Sequence, residues 1–273
     1  MHLNIRHAIK RTHSVFIVIT LLDFIFLGLP TLIILLGSFT SGNIIAFPPE
    51  GFSLQWYVKL LEPTMRVFRM AFVRSFYVAL FCTLISIPVG VFAALALNKY
   101  SIRGKNIFQT YFLLPFTIPL IVSGVGLMII YGHLNWLDKV WPIGLALTII
   151  NLPFMLWAVS SSVNALDRNL EDAAQNLGAD EIQTFWYVTL PALMPGVITG
   201  SLLMFMLGFN EFVVSLLLVS TRNMTLPVAL YSSIRTQISP ALAAVSSVYI
   251  VIAVFAIWVL DRAVGLKEFL RSR

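Results

Sequence analysis

Six long apolar runs, separated by shorter polar segments, dominate the pattern of hydrophobic and polar positions along the 273-residue chain. The runs cover residues 15–39, 71–97, 107–131, 141–163, 192–219 and 243–260. A helix needs roughly 20 apolar residues to cross a bilayer. The pattern therefore predicts an all-α protein with one membrane domain of six transmembrane helices over 15–260. We expect a short segment, 1–14, before this domain and a tail, 261–273, after it.

One polar segment, 164–191, has a helical pattern of its own between the fourth and fifth runs. One face is apolar, because Leu166, Leu170, Ala173, Ala174 and Leu177 follow helical spacing. This segment is too polar to be a further span. It either packs against its own bundle or docks onto a soluble partner.

The ends of two helices are readable within this segment. Asp167 is a predicted N-cap, and Gly178 stands where a left-handed residue would end the first helix. Asp180 and Gln183 have capping-box spacing for a second helix, and Pro191 suits the first turn of the next span. The prediction is therefore a helix–Gly–helix element.

Composition supports a membrane protein, because 59% of residues are hydrophobic and only 11% are charged. The net charge of +6 does not indicate nucleic-acid binding, since the basic residues flank the apolar runs. Of the 18 Lys and Arg, 11 lie at one set of helix ends and 7 at the other. The larger set is Arg6, Lys10, Arg11, Lys99, Arg103, Lys105, Arg168, Arg262, Lys267, Arg271 and Arg273. This bias predicts that both termini and the 164–191 segment face the cytoplasm.

The chain shows no sequence pattern for catalysis. It has one cysteine, no phosphate-binding loop and no spacing typical of a zinc site, which predicts neither a cofactor nor an enzyme. Two acids, Asp23 and Glu211, fall within apolar runs, and Asn210 stands beside the second. Acids inside a membrane are candidates for function. A proton-coupled carrier or a membrane enzyme could use them, although neither would explain the 164–191 segment.

The polar segment resembles the EAA motif of permease subunits of ATP-binding-cassette (ABC) importers. Its sequence EDAAQNLGADEIQTFWYVTLP has the motif spacing throughout, with Asp172 and Val188 in place of Glu and Ile. The resemblance implies a type I importer permease whose coupling helix docks onto a separate ATPase subunit that binds ATP and Mg. It assigns coupling to Glu171, Asp172, Ala173, Ala174, Leu177, Gly178, Val188, Leu190 and Pro191.

Further stretches, including YSIRGKN and LGFNEFVVSLLL, resemble the spermidine/putrescine permease group. This resemblance implies import of a polyamine or similar small amine, or alternatively of an aminophosphonate or opine. It implies a bacterial inner membrane location, a second, paralogous permease, two ATP-binding subunits and a periplasmic solute-binding protein. The residues expected along the solute path are Glu211, Asn210, Asn151 and Asp23, with Asn151 standing where many members have His.

Overall fold

The computed structural model describes residues 2–45, 47–236 and 238–264. This part of the chain is almost entirely helical, apart from loops and an isolated bridge between Thr40 and Phe52. The predicted all-α class is confirmed. Contacts divide the chain into two units, Met1–Arg66 with Ser233–Val251, and Val67–Ser232 with Ile252–Arg273.

The first unit begins with a long helix, α1 (His2–Gly37), which a loop joins to the short α2 (Gln55–Lys59). In the apolar part of α1, the side chains from Phe16 to Leu36 are exposed or half-buried. Such a surface suits lipid or another apolar partner. Trp56 of α2 is buried, and its indole N–H donates to the Thr40 carbonyl at 2.8 Å.

The second unit contains most of the remaining helices and the main hydrophobic core. Its first helices are α3 (Arg66–Lys99), α4 (Lys105–Thr117), α5 (Leu120–His133) and α6 (Val140–Ala165). They are followed by α7 (Arg168–Asn176), α8 (Glu181–Thr184), a π turn (Phe185–Thr189) and α9 (Leu190–Asn210). The last elements are α10 (Val213–Leu218), α11 (Leu226–Ile234) and α12 (Pro240–Val264), and the residues of α12 up to Val251 are assigned to the first unit.

The core is built where α3, α6 and α9 pack together. Its fully buried side chains include Val78 of α3, Leu147 and Met155 of α6, and Met204 of α9. The α6–α9 contact is close because Gly196 has no side chain: a Cβ there would lie 2.6 Å from the Ala158 carbonyl oxygen. Small residues allow such approach between membrane helices.

The predicted third span, 107–131, is not one straight helix. Its helices α4 and α5 meet at an angle of 97°. The break is at Ile118, whose backbone is extended (φ −84°, ψ 130°), directly before Pro119. Proline disfavours the helical conformation in the residue that precedes it. Pro115 lies inside α4 without ending it, so the sequence pattern alone did not identify which proline would break the span.

The predicted fifth span, 192–219, is also displaced. A single helix of 30 residues runs from Glu181 to Asn210, and the chain leaves the helix at Glu211 (ψ 128°) before α10 begins. The helix therefore starts about a third of its length earlier than expected and ends before the apolar run does. A hydrophobicity profile does not show this break, because the residues of α9 before it and of α10 after it are both apolar.

The number of spans stays a prediction. Within the described residues, four helices are long and apolar enough to cross a membrane, and the bent α4–α5 pair would make a fifth. The predicted sixth span, 243–260, falls within α12, a helix of 25 residues. Of the predicted tail, 261–273, residues 265–273 lie outside the described residues, and the predicted domain boundaries are not tested.

Candidate functional site: the coupling loop

The first half of the 164–191 segment folds as its sequence predicts. The Asp167 carboxylate accepts a hydrogen bond from the Asn169 N–H at 3.0 Å and so caps α7. The helix ends at Gly178, which has a positive φ of 95°. Both predictions are confirmed, and Leu166 proves to lie before α7, at the end of α6, rather than within it.

The second half differs from the prediction in one respect. Asp180 and Gln183 form the predicted capping box at the start of α8, with bonds of 2.7 and 3.1 Å. However, this helix does not stop before Pro191, because it continues through the π turn into α9. Pro191 lies in the first turn of α9, as predicted, although the chain enters α9 directly from the π turn. It has no N–H for the Tyr187 carbonyl four residues earlier, and the wider π turn directly precedes it.

The 164–191 segment exposes several large apolar side chains. These are Leu170, Leu177, Ile182, Trp186 and Tyr187, of which Leu177 is 90% exposed. Among the motif residues, Asp172 and Ala173 are exposed and Ala174 is half-buried. Apolar side chains grouped with polar ones on a surface are typical of protein interfaces. We call this group the docking face.

Glu171, in contrast, is buried against the bundle. It is 4% exposed, and its carboxylate contacts the Lys99 ammonium of α3 at 2.8 Å. Its other oxygen accepts a hydrogen bond from the Thr189 hydroxyl at 2.5 Å. Val188 and Leu190 are half-buried in the same region, and Pro191 is exposed. The residues assigned to coupling therefore divide into a set on the docking face and a set that anchors the loop.

A cavity of about 540 Å³ lies beside this anchor. Its lining includes Lys99, Phe92 of α3, and Phe185 and Trp186 of the helix that follows the loop. The hydroxyl of Thr184, which also lines the cavity, is buried and has no hydrogen-bond partner among the described residues. The loop is thus held to α3 by the contact between Glu171 and Lys99, and next to this contact a cavity lies between the loop and α3.

Comparison with known proteins decides the family. Residues 86–264 match the family model described as the binding-protein-dependent transport system inner membrane component. The chain belongs to this family. It is an ABC importer permease, a transport component of the inner membrane, whose family works with a partner ATPase and a substrate-binding protein.

Two relatives and one solved structure illustrate the similarity. The permease is 30% identical to the putrescine transport system permease protein PotI of Escherichia coli K12 over 85% of this chain and 84% of that protein. It is 27% identical to the spermidine/putrescine transport system permease protein PotC of Haemophilus influenzae, over 89% and 93%. Its fold matches a chain of a bacterial ABC transporter involved in import of the acidic polysaccharide alginate (TM-score 0.69, 19% identity, covering 95% of this chain and 97% of that chain).

The predicted path residues of the permease lie in different elements. Asn151 is buried on α6, whereas Asn210 is exposed at the end of α9 and donates to the Met206 carbonyl at 3.1 Å. Asp23 is exposed on α1, in the first unit. The structure joins Asn210 and Glu211 at the α9–α10 break, and their roles in transport stay predictions.

Glu211 has a structural role that the sequence reasoning did not identify. Its two carboxylate oxygens accept hydrogen bonds from the Val214 and Ser215 N–H groups at 2.8 and 2.9 Å. It therefore caps α10 and satisfies two N–H groups that a helix start leaves open. The available sign in the sequence was the acid itself, three residues before Val214, because an acid just before a helix can accept hydrogen bonds from its first N–H groups. The surrounding apolar run concealed where the helix starts.

Lys99 was also missed as part of the site. The sequence placed it with the basic residues that set topology, at the end of the second apolar run. A pairing with Glu171, 72 positions later, depends on how the two helices cross. Only the shared predicted side of the membrane indicated that the two charges could meet.

Proposed function

We propose that this permease forms the solute path of an ABC importer for a polyamine or similar small amine, and that its 164–191 loop docks onto a separate ATPase subunit. The arrangement of the loop carries the docking proposal. Leu177 and Trp186 are exposed on its docking face, while the buried Glu171 holds the loop to α3. An element that is anchored on one side and apolar on the other is suited to transmit force from a partner.

The solute class is supported by the relatives. PotI and PotC are named for putrescine and for spermidine/putrescine, and both match more than four fifths of this chain. A cationic amine loses hydration when it enters the path, and carboxylate groups offset part of that cost. Glu211 is the acid placed at a helix break in the second unit, which makes it the candidate for this role.

The assembly we propose has four kinds of protein. A second, paralogous permease completes the path, two ATPase subunits bind ATP and Mg and carry out hydrolysis, and a periplasmic solute-binding protein delivers the solute. This chain itself binds no cofactor. Both termini and the 164–191 loop face the cytoplasm, and six segments cross the membrane, two of them bent or broken.

Reconstitution tests the proposal. The permease is purified with its partner permease and ATPase, placed in liposomes, and supplied with the binding protein. We expect ATP-dependent uptake of labelled putrescine or spermidine, and stimulation of ATP hydrolysis by the loaded binding protein. An aminophosphonate and an opine serve as competing solutes in parallel.

Each contrary outcome is specific. Uptake of the aminophosphonate or opine alone would overturn the amine proposal and leave the importer intact. Uptake that continues after ATP depletion, with the membrane potential held constant, would indicate a secondary carrier. Purification without a co-eluting ATPase would contradict the docking role of the loop.

A further inference from the structure

Three helical elements of the second unit meet at the Glu171 carboxylate. Lys99, the last residue of α3, contacts it at 2.8 Å, and Thr189, the last residue of the π turn, donates to it at 2.5 Å. Glu171 itself lies in the first turn of α7. We call the side chains of Lys99, Glu171 and Thr189 the carboxylate junction.

Glu171 differs in burial from every other acid of the loop. Asp167, Asp172, Asp180 and Glu181 are exposed, whereas Glu171 is 4% exposed. A carboxylate removed from water is costly unless a cation and hydrogen-bond donors compensate it. The junction supplies both, so its geometry is restricted in a way that a surface ion pair is not.

The charges also agree with the ends of the helices that carry them. A cation at the C-terminal end of α3 and an anion in the first turn of α7 are each favoured by the helix dipole. Glu171 and Asp172 are adjacent in sequence, but a helix turns by about 100° per residue. The two acids therefore point to different sides, one to the junction and one to the docking face.

The junction connects the docking face to two long apolar helices. A movement of α7 away from its present place would separate Glu171 from Lys99, and would pull on the π turn through Thr189. π-helices are rare, and they occur mostly as single turns within α-helices, frequently at functional sites. The turn leads directly into α9, whose other end is the Asn210–Glu211 break.

We propose that Glu171 is a positioning residue that transmits movement of the 164–191 loop to α3 and α9, through Lys99 and Thr189. Its role is internal to the permease, while the docking face binds the ATPase. This inference rests on the proposed docking of the loop.

The test uses the complete complex in liposomes and measures solute uptake per ATP hydrolysed. Glu171→Gln and Lys99→Met each remove one charge of the pair. We expect both variants to retain ATPase co-elution, and the uptake per ATP to fall roughly five-fold or more, the usual range for loss of coupling between two sites. Thr189→Val, which removes only the hydroxyl, should give a smaller fall in the same ratio.

Two further variants separate transmission from simple loss of stability. The exchange Lys99→Glu with Glu171→Lys restores the attraction with reversed charges. We expect it to recover part of the ratio lost by the single variants, because the helix dipoles then oppose each charge. Arg103→Met removes an exposed cation from the segment just after α3, and the ratio should remain at the wild-type value.

The contrary outcomes are distinct. Wild-type uptake per ATP in Glu171→Gln or Lys99→Met, or no recovery in the exchanged pair, would overturn the transmitting role. Loss of ATPase co-elution in both single variants would overturn it too, because the pair would then serve docking. A wild-type complex without ATP-coupled uptake would contradict the proposed function and this inference together, whereas failure of the variants alone leaves the proposed function standing.

Discussion

Gly178 shows how one residue determines the shape of the coupling loop. Its φ of 95° lies in the left-handed region, where side chains other than glycine are strained. A Cβ placed on it would meet no heavy atom within 4 Å. The requirement for glycine is therefore conformational and not steric, which makes its strength testable with side chains of different backbone preference.

We expect Gly178→Val to reduce ATPase co-elution and solute uptake, because a β-branched residue at positive φ costs on the order of 1–2 kcal/mol. Gly178→Asn is the matched variant, since Asn tolerates this conformation better and should keep most of the uptake. Co-purification and uptake in liposomes measure both. Equal and normal uptake in the two variants would show that the turn does not constrain coupling.

Ala174 gives a second residue-scale prediction for the loop. It is half-buried in the middle of α7, next to the exposed Ala173. An added carboxylate should be poorly accommodated there, so Ala174→Asp should leave membrane insertion intact and lower ATPase co-elution and uptake. Ala174→Ser, which is close in size, is the control. Normal co-elution of the ATPase with the Ala174→Asp variant would show that Ala174 does not take part in docking.

At the scale of elements, the break between α9 and α10 is the feature with most consequence for transport. Glu211 ends one helix and caps the next, with two accepted backbone hydrogen bonds. A carboxylate in this position is held by the backbone and keeps the break in a fixed geometry. The same carboxylate is the candidate partner for a cationic solute, so its two roles must be separated by experiment.

Glu211→Gln removes the charge and keeps one oxygen that can accept a backbone hydrogen bond. We expect a lower uptake of putrescine or spermidine, with assembly and basal ATP hydrolysis retained. Glu211→Ala removes the cap as well, and loss of a helix cap costs about 1 kcal/mol, so its thermal stability in detergent should fall below that of the Gln variant. Unchanged uptake by an assembled Gln variant would show that Glu211 acts only as a cap.

For the whole molecule, the open question is topology. The Lys and Arg bias predicts cytoplasmic termini, and it places the 164–191 loop and residues 41–48 on opposite sides of the membrane. The structure leaves Asn169 and Ser41 exposed and Cys82 buried. These three positions allow a labelling experiment with little background.

In a Cys82→Ser background, Ser41→Cys should react with an impermeant thiol reagent from the periplasmic side. Asn169→Cys should react only after the membrane is opened. The physical reason is that the larger group of cations stays on the cytoplasmic side during insertion. Labelling of Asn169→Cys in intact cells would show that the loop faces the periplasm, and would therefore exclude ATPase docking at this loop.

The sequence by itself determined the fold class, the family and the local form of the loop. Long apolar runs require helices in lipid, because each backbone group must be satisfied within its own segment. Caps such as Asp167 and Asp180, and the turn at Gly178, depend on neighbours a few residues away, so they are readable from the chain. The structure confirmed the fold class and the local form of the loop, and comparison with known proteins confirmed the family.

Only the tertiary structure decided where the helices break and which charges meet. The third span breaks directly before Pro119 and not at Pro115, and the chain leaves α9 at Glu211 inside a continuous apolar run. Hydrophobicity does not distinguish the two sides of either break. The pairing of Lys99 with Glu171 joins residues far apart in sequence. It depends on where α3 crosses the loop, which is determined by packing among several helices at once. The sequence pattern of any single helix therefore does not show it.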